Sequence, residues 1–268
     1  MGEATRQWRH GVTAAVLALA TVGGVLAGTA FAAGPSYVAL GDSYSSGVGT
    51  RAYINDGSGC QRSVYAYPSL IAGRLGATLS FQACGGASTS DVLTSQLGTL
   101  TASTTYVTIS IGGNDAGFSS VIKRCAEPWP TTCTAQIAVA QGFIQHTLPG
   151  RLNTVYNAIR GRAPHARVVV VGYPRLFDGK TCNLLARIST GEESALNSTA
   201  DLLATTTATS AKAHGFGFVD SRTAFTGHAI CDGDEWLNGL SNPVGESYHP
   251  NRSGQAAYAN LVRPALAG

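Results

Sequence analysis

Four short stretches of the chain carry residue types that together are able to break an ester: Gly41-Asp42-Ser43, Gly86, Gly113-Asn114-Asp115 and His249-Pro250. Ser43 offers a hydroxyl for attack on a carbonyl. His249 offers a base that works near neutral pH. Gly86 offers a backbone N–H with no side chain in the way, and Asn114 offers an amide donor. A serine, a base to take its proton and fixed donors for the oxyanion are the parts of acyl transfer. Each residue also has an ordinary reading. Asn114 can cap the segment after a strand, and His249 can be a loop histidine. Asp42 reads best as a cap that binds backbone N–H groups.

These residues need elements to present them. The apolar run from Tyr37 to Leu40 reads as a buried strand that stops at Gly41. Residues 77–83 alternate as a second strand, ending in Cys84-Gly85-Gly86. Tyr106 to Ile111 is a β-branched third strand, ending in Gly112-Gly113-Asn114. Val168 to Val171 is nearly pure valine, as expected of a strand buried on both faces. Phe216 to Val219 is a fifth. Helical patterns fall at Tyr67–Leu75, Ser90–Gly98, Thr134–Arg162 with a break at Pro149, Gly191–His214 and Ser253–Leu266. The segment between Asn114 and Thr134 reads as a loop.

Strands alternating with helices predict an α/β fold. The expected form is a flavodoxin-like three-layer α/β/α sandwich on a five-stranded parallel sheet of order 2-1-3-4-5. The first three strand ends then flank the point where the order reverses, which is where ligands bind in open α/β sheets. His249 must arrive there from a late loop.

Residues 1–32 read as an export signal. Arg6, Arg9 and His10 form a basic start, Gly11 to Gly28 carry no charge, and Ala30-Phe31-Ala32 fits a cleavage site. Residues 33–268 then form one domain with net charge +2 (16 basic, 14 acidic). A balance this near neutrality argues against nucleic acid as a partner. All six cysteines, Cys60, Cys84, Cys125, Cys133, Cys182 and Cys231, lie after the signal. An even count in an exported chain implies disulfides, and six cysteines allow about 15 pairings. Cys125 and Cys133 bracket a short loop holding Pro128 and Pro130, which favours that pair. No C-x-x-C occurs and the histidines form no spaced cluster, so neither a metal nor another cofactor is expected.

The four blocks, in this order and spread over most of the chain, resemble the GDSL, or SGNH, hydrolase family. The similarity is greatest to small secreted bacterial lipases, phospholipases and esterases with three disulfides. It spans about residues 36 to 266. The resemblance implies the SGNH fold and hydrolysis of lipid acyl esters by a secreted monomer that touches a lipid interface transiently. It implies Ser43 as nucleophile and His249 as general base. The oxyanion donors would be the Ser43 and Gly86 N–H groups and the Asn114 side chain. It also implies the pairs Cys60–Cys84, Cys125–Cys133 and Cys182–Cys231. One position departs from the family. Asp usually stands three residues before the histidine, where this chain has Glu246. In some similar lipases a backbone carbonyl two residues before the histidine holds the imidazole, here that of Ser247. Both acceptors stay open on the sequence. The G-x-S-x-G elbow of the α/β-hydrolases is absent. A carbohydrate deacetylase on the same scaffold and a non-catalytic binding module are the competing readings. The module leaves the co-occurrence of the four blocks without a reason.

Overall fold

The computed structural model describes residues 1–2, 34–127, 130–180, 182 and 188–268. The expected export signal lies, but for its first two residues, outside the described residues. Five strands form one parallel sheet: β1 (Ser36–Gly41), β2 (Thr78–Phe81), β3 (Tyr106–Ser110), β4 (Arg167–Val171) and β5 (Gly217–Val219). The order is β2-β1-β3-β4-β5. Tyr37 to Leu40 of β1 and Val168 to Val171 of β4 are buried, so both faces of these strands are covered.

The helices are α1 (Ser43–Ser46), α2 (Tyr67–Leu75), α3 (Thr89–Asp91), α4 (Phe118–Cys125), α5 (Thr134–His146), α6 (Leu148–Arg162), α7 (Thr190–Ala213) and α8 (Arg252–Ala267). The crossover from β1 to β2 runs one way along the sheet, and the later three run the other way. Right-handed crossovers therefore put α2 on one face and α3, α6 and α7 on the other. The packing agrees: α2 lies against α8, and α6 against α3 and α7. Loops after β1 and β3 are thus left between the two helical layers, at the reversal point.

Three details depart from the sequence pattern. The expected helix over Ser90–Gly98 is one turn of α3 followed by a π turn, Val92–Gln96, and a 3₁₀ turn, Leu97–Thr99. The wide π turn carries Gln96 inward to the end of β1. The long pattern from Thr134 to Arg162 is two helices parted at Thr147, with Pro149 in the first turn of α6, where its missing N–H costs nothing. Helix α4 lies in the expected loop. It starts at Gly117 in the left-handed region and buries only Val121, Ile122 and Cys125.

Disulfides join Cys60 to Cys84, Cys125 to Cys133 and Cys182 to Cys231. The first ties the long loop after α1 to the end of β2. The second closes the connection between α4 and α5. Among the described residues no helix is long and apolar enough to cross a membrane.

Candidate active site

Strand β1 must end abruptly, and Gly41 is the reason it can. Its φ is +122°, and a Cβ there would lie 2.4 Å from the Ser110 carbonyl oxygen. The side chain of Gln96 accepts from the Gly41 N–H at 2.7 Å and donates to its carbonyl at 2.9 Å. One buried amide thus gives the N–H its acceptor and joins the Cys84 N–H, at 3.0 Å, on the carbonyl where the ladder stops. Asp42 then caps α1, its carboxylate accepting from Tyr44 N–H at 3.0 Å. Ser43 follows as the first residue of that turn, and Gly47 closes the turn in the left-handed conformation.

Ser43 Oγ lies 2.8 Å from His249 Nε2, and His249 Nδ1 lies 2.9 Å from the Ser247 carbonyl oxygen. A carbonyl only accepts, so Nδ1 carries the proton. Nε2 is then bare and accepts from the Ser43 hydroxyl. Of the two acceptors open on the sequence, the carbonyl is therefore the one at the imidazole. The Glu246 carboxylate turns away. It accepts from Tyr53 Oη at 2.6 Å and faces Arg51 Nε at 3.4 Å.

The turn before His249 is held from several sides. Tyr248 has φ +62°, which is strained for a tyrosine. Its N–H donates to the Asn238 carbonyl at 2.9 Å, its carbonyl accepts from Tyr44 Oη at 2.8 Å, and Asn238 N–H donates to the His249 carbonyl at 2.9 Å. Burial pushes the His249 imidazole down to about 4. Asp42 shifts the opposite way. Burial raises its carboxyl to about 7, although Tyr173 Oη and Tyr44 N–H both donate to it.

The loops after β2 and β3 are tied to each other. Asn114 Nδ2 donates to the Ala87 carbonyl at 2.9 Å, which leaves its second hydrogen free to point elsewhere. Asp115 accepts from the Thr89 N–H at 2.9 Å and from Arg151 at 3.1 Å. Gly86 has φ +80° with open space where a Cβ would stand. Neither its N–H nor that of Ser43 donates to another group among the described residues. Ser43, Asn114 and His249 share the mouth of one narrow cavity of about 60 Å³. Gly86 lies outside its wall.

Motif reading missed Gln96, Tyr173 and Gln255. Tyr173 donates to Asp42 and accepts from Gly113 N–H at 3.2 Å, so it links the first and third loops. Its place directly after β4 and Gly172 was a usable signal, since it is a fourth strand end. Gln255 bridges Tyr67 N–H and the Tyr44 carbonyl from inside α8, which no motif announces. Among the described residues, one cluster has metal-ligand types, Cys182, Cys231 and Glu235. Its two sulfurs are bonded to each other and offer no thiolate.

Residues 39–257 match the GDSL-like lipase/acylhydrolase family. Lipase 1 of Streptomyces coelicolor is 48% identical over 228 residues, 84% of each chain. The crystal structure of an extracellular lipase from Streptomyces rimosus is similar at 44% identity and TM-score 0.82, covering 86% of this chain and 99% of that one. A phospholipase A1 from Streptomyces albidoflavus NA297 superposes with TM-score 0.81 at 43% identity, over 88% of this chain and 99% of the other. The five-stranded parallel sheet with its helices matches the fold of these two structures. The chain belongs to the GDSL-like lipase/acylhydrolase family and is a carboxylic ester hydrolase.

Proposed function

We propose that this enzyme is exported and cleaves acyl esters of lipids as a monomer, through an acyl-enzyme on Ser43. The observation that carries the reading is the relay of 2.8 Å and 2.9 Å from Ser43 through His249 to the Ser247 carbonyl, set at the mouth of an apolar cavity. Ser43 Oγ attacks the ester carbonyl while Nε2 takes its proton. The oxyanion that forms accepts from the Ser43 N–H, the Gly86 N–H and Asn114 Nδ2. The imidazolium is stabilised by the Ser247 carbonyl and returns its proton to the leaving alcohol. Water then repeats the sequence on the acyl-enzyme.

The names of similar proteins, lipases and a phospholipase A1, support a lipid substrate. The apolar cavity wall supports an acyl chain over a sugar. The signal-like start and three disulfides support an extracellular site of action. Contact with a lipid interface would be transient.

Ser43→Ala is expected to lower kcat by on the order of 10⁶ and to keep the parent's unfolding midpoint. The panel is p-nitrophenyl esters of rising chain length, phosphatidylcholine, triacylglycerol and acetylated xylan. A serine-directed phosphonate that labels some other residue, with activity kept in Ser43→Ala, would remove the assignment. Turnover of acetylated xylan alone would remove the lipid substrate.

A further inference from the structure

The cavity at Ser43 does not end at the catalytic residues. It continues between α4, α5 and α7. Helix α7 lines it with Leu196, Thr199, Ala200 and Leu203. Their i, i+3, i+4, i+7 spacing is a single helical face. From α5 come Ala140 and Ile144, which are one turn apart. Thus the inner wall is apolar, while Ser43, Asn114 and His249 stand at one end of it.

Where α5 meets α7 the lining side chains are small. Ala140, Thr199 and Ala200 leave room that Leu or Ile would fill. Larger side chains flank them: Ile144 of α5 and Leu196 of α7 line the same cavity and are buried, and Ile137 of α5 is buried outside it. Protein interiors are close-packed, so an apolar gap lined by alanines is a cost to stability unless something occupies it. Gln141 Nε2 donates to Thr199 Oγ1 at 2.9 Å, which clasps the two helices across the same seam.

The geometry points to the α5–α7 seam as the acyl-chain slot that sets substrate length, with Ala140 and Ala200 as its specificity-determining residues. This rests on the ester-hydrolase reading of Ser43 given above. A straight alkyl chain fits because it needs width for one methylene and no polar partner. Its carbonyl stays at Ser43 while the tail runs between the helices. An acetyl group is too short to reach the seam and gains nothing there.

The test compares kcat/KM on p-nitrophenyl acetate, butyrate, octanoate and palmitate for the parent, Ala200→Val, Ala200→Leu and Ala140→Leu. The octanoate-to-acetate ratio is expected to fall by ten- to a hundredfold in both leucine variants, the scale of a methylene-sized change in an apolar pocket. The valine variant should lie between them and the parent. An unchanged ratio in variants that melt like the parent would overturn the slot. A uniform fall across all four esters would do the same, since it would mark a structural effect. Failure of the parent to hydrolyse any of the four would instead strike the ester-hydrolase reading itself.

Discussion

The Nδ1 proton of His249 goes to the Ser247 carbonyl at 2.9 Å, so the imidazole is oriented by backbone. In a carboxylate triad, changing Asp to Asn costs about 10⁴ in kcat because the wrong tautomer results. Here the acceptor is not a side chain, and Glu246 is bound to Tyr53 and Arg51. Glu246→Gln is therefore expected to keep kcat within about tenfold of the parent. A loss above about 10³ would make the carboxylate the true acceptor. The pH profile supplies a second check. Burial is the main cause that lowers the His249 imidazole to about 4, and the charge of Glu246 partly opposes it. The acid limb of kcat/KM, which reports the free enzyme, should fall near pH 4 in the parent. In Glu246→Gln it should move lower still. A limb at the ordinary histidine value in the parent would mean that the ring is solvated. At this scale the sequence pointed to Ser43, Asn114 and His249, which the fold brings to one cavity, because the glycine-rich ends of β1 and β3 mark where such side chains are presented. It left the acceptor open, because a carbonyl belongs to every residue and has no letter of its own.

At the scale of elements, the strands were legible from their valine-rich and alternating runs, and the order followed from the polar strand ends. What the sequence hid was local and non-repeating. Helix α4 is two turns long with four polar or charged residues, Ser119, Ser120, Lys123 and Arg124, so its period is too short to read. The π turn after α3 carries a tertiary contact, the two hydrogen bonds of the Gln96 side chain to Gly41, which has no local periodic signal. That contact can be tested. Gln96 is 2% exposed, and without it the Gly41 N–H at the end of β1 loses its acceptor, while the Gly41 carbonyl keeps only the Cys84 N–H. Gln96→Ala is expected to lower stability by about 1–3 kcal/mol, the cost of a buried unsatisfied group. It should also lower kcat, since Ser43 follows two residues after Gly41. Urea unfolding read beside kcat separates the effects, and a variant with the parent's midpoint would show that the bond is idle.

For the molecule as a whole, the buried Asp42 and the half-buried His249 beside Ser43 act on stability in opposite directions. Asp42 is raised from 3.8 to about 7, so the native state keeps a proton there that the unfolded chain has lost. That contribution is fully present below the unfolded value and disappears as pH rises through about 7. His249 is lowered from 6.5 to about 4, so between those values the unfolded chain holds a proton that the native state lacks. Its effect makes stability rise with pH across that window. Where the windows overlap, from about 4 to 6.5, the native pair is neutral and the unfolded pair is one anion and one cation. Proton uptake then cancels, and the pair adds almost no slope. Removing either member should expose the other. Relative to the parent, Asp42→Asn should gain stability with rising pH by about 1.4 kcal/mol per unit, one proton's worth. His249→Gln should show the opposite sign and a similar size. Asparagine is still a good cap for α1, so the first variant keeps the turn that carries Ser43. Urea unfolding at half-unit steps between pH 4.5 and 6.5 gives all three slopes. Parallel curves for the parent and both variants would mean that neither group changes its proton affinity on folding.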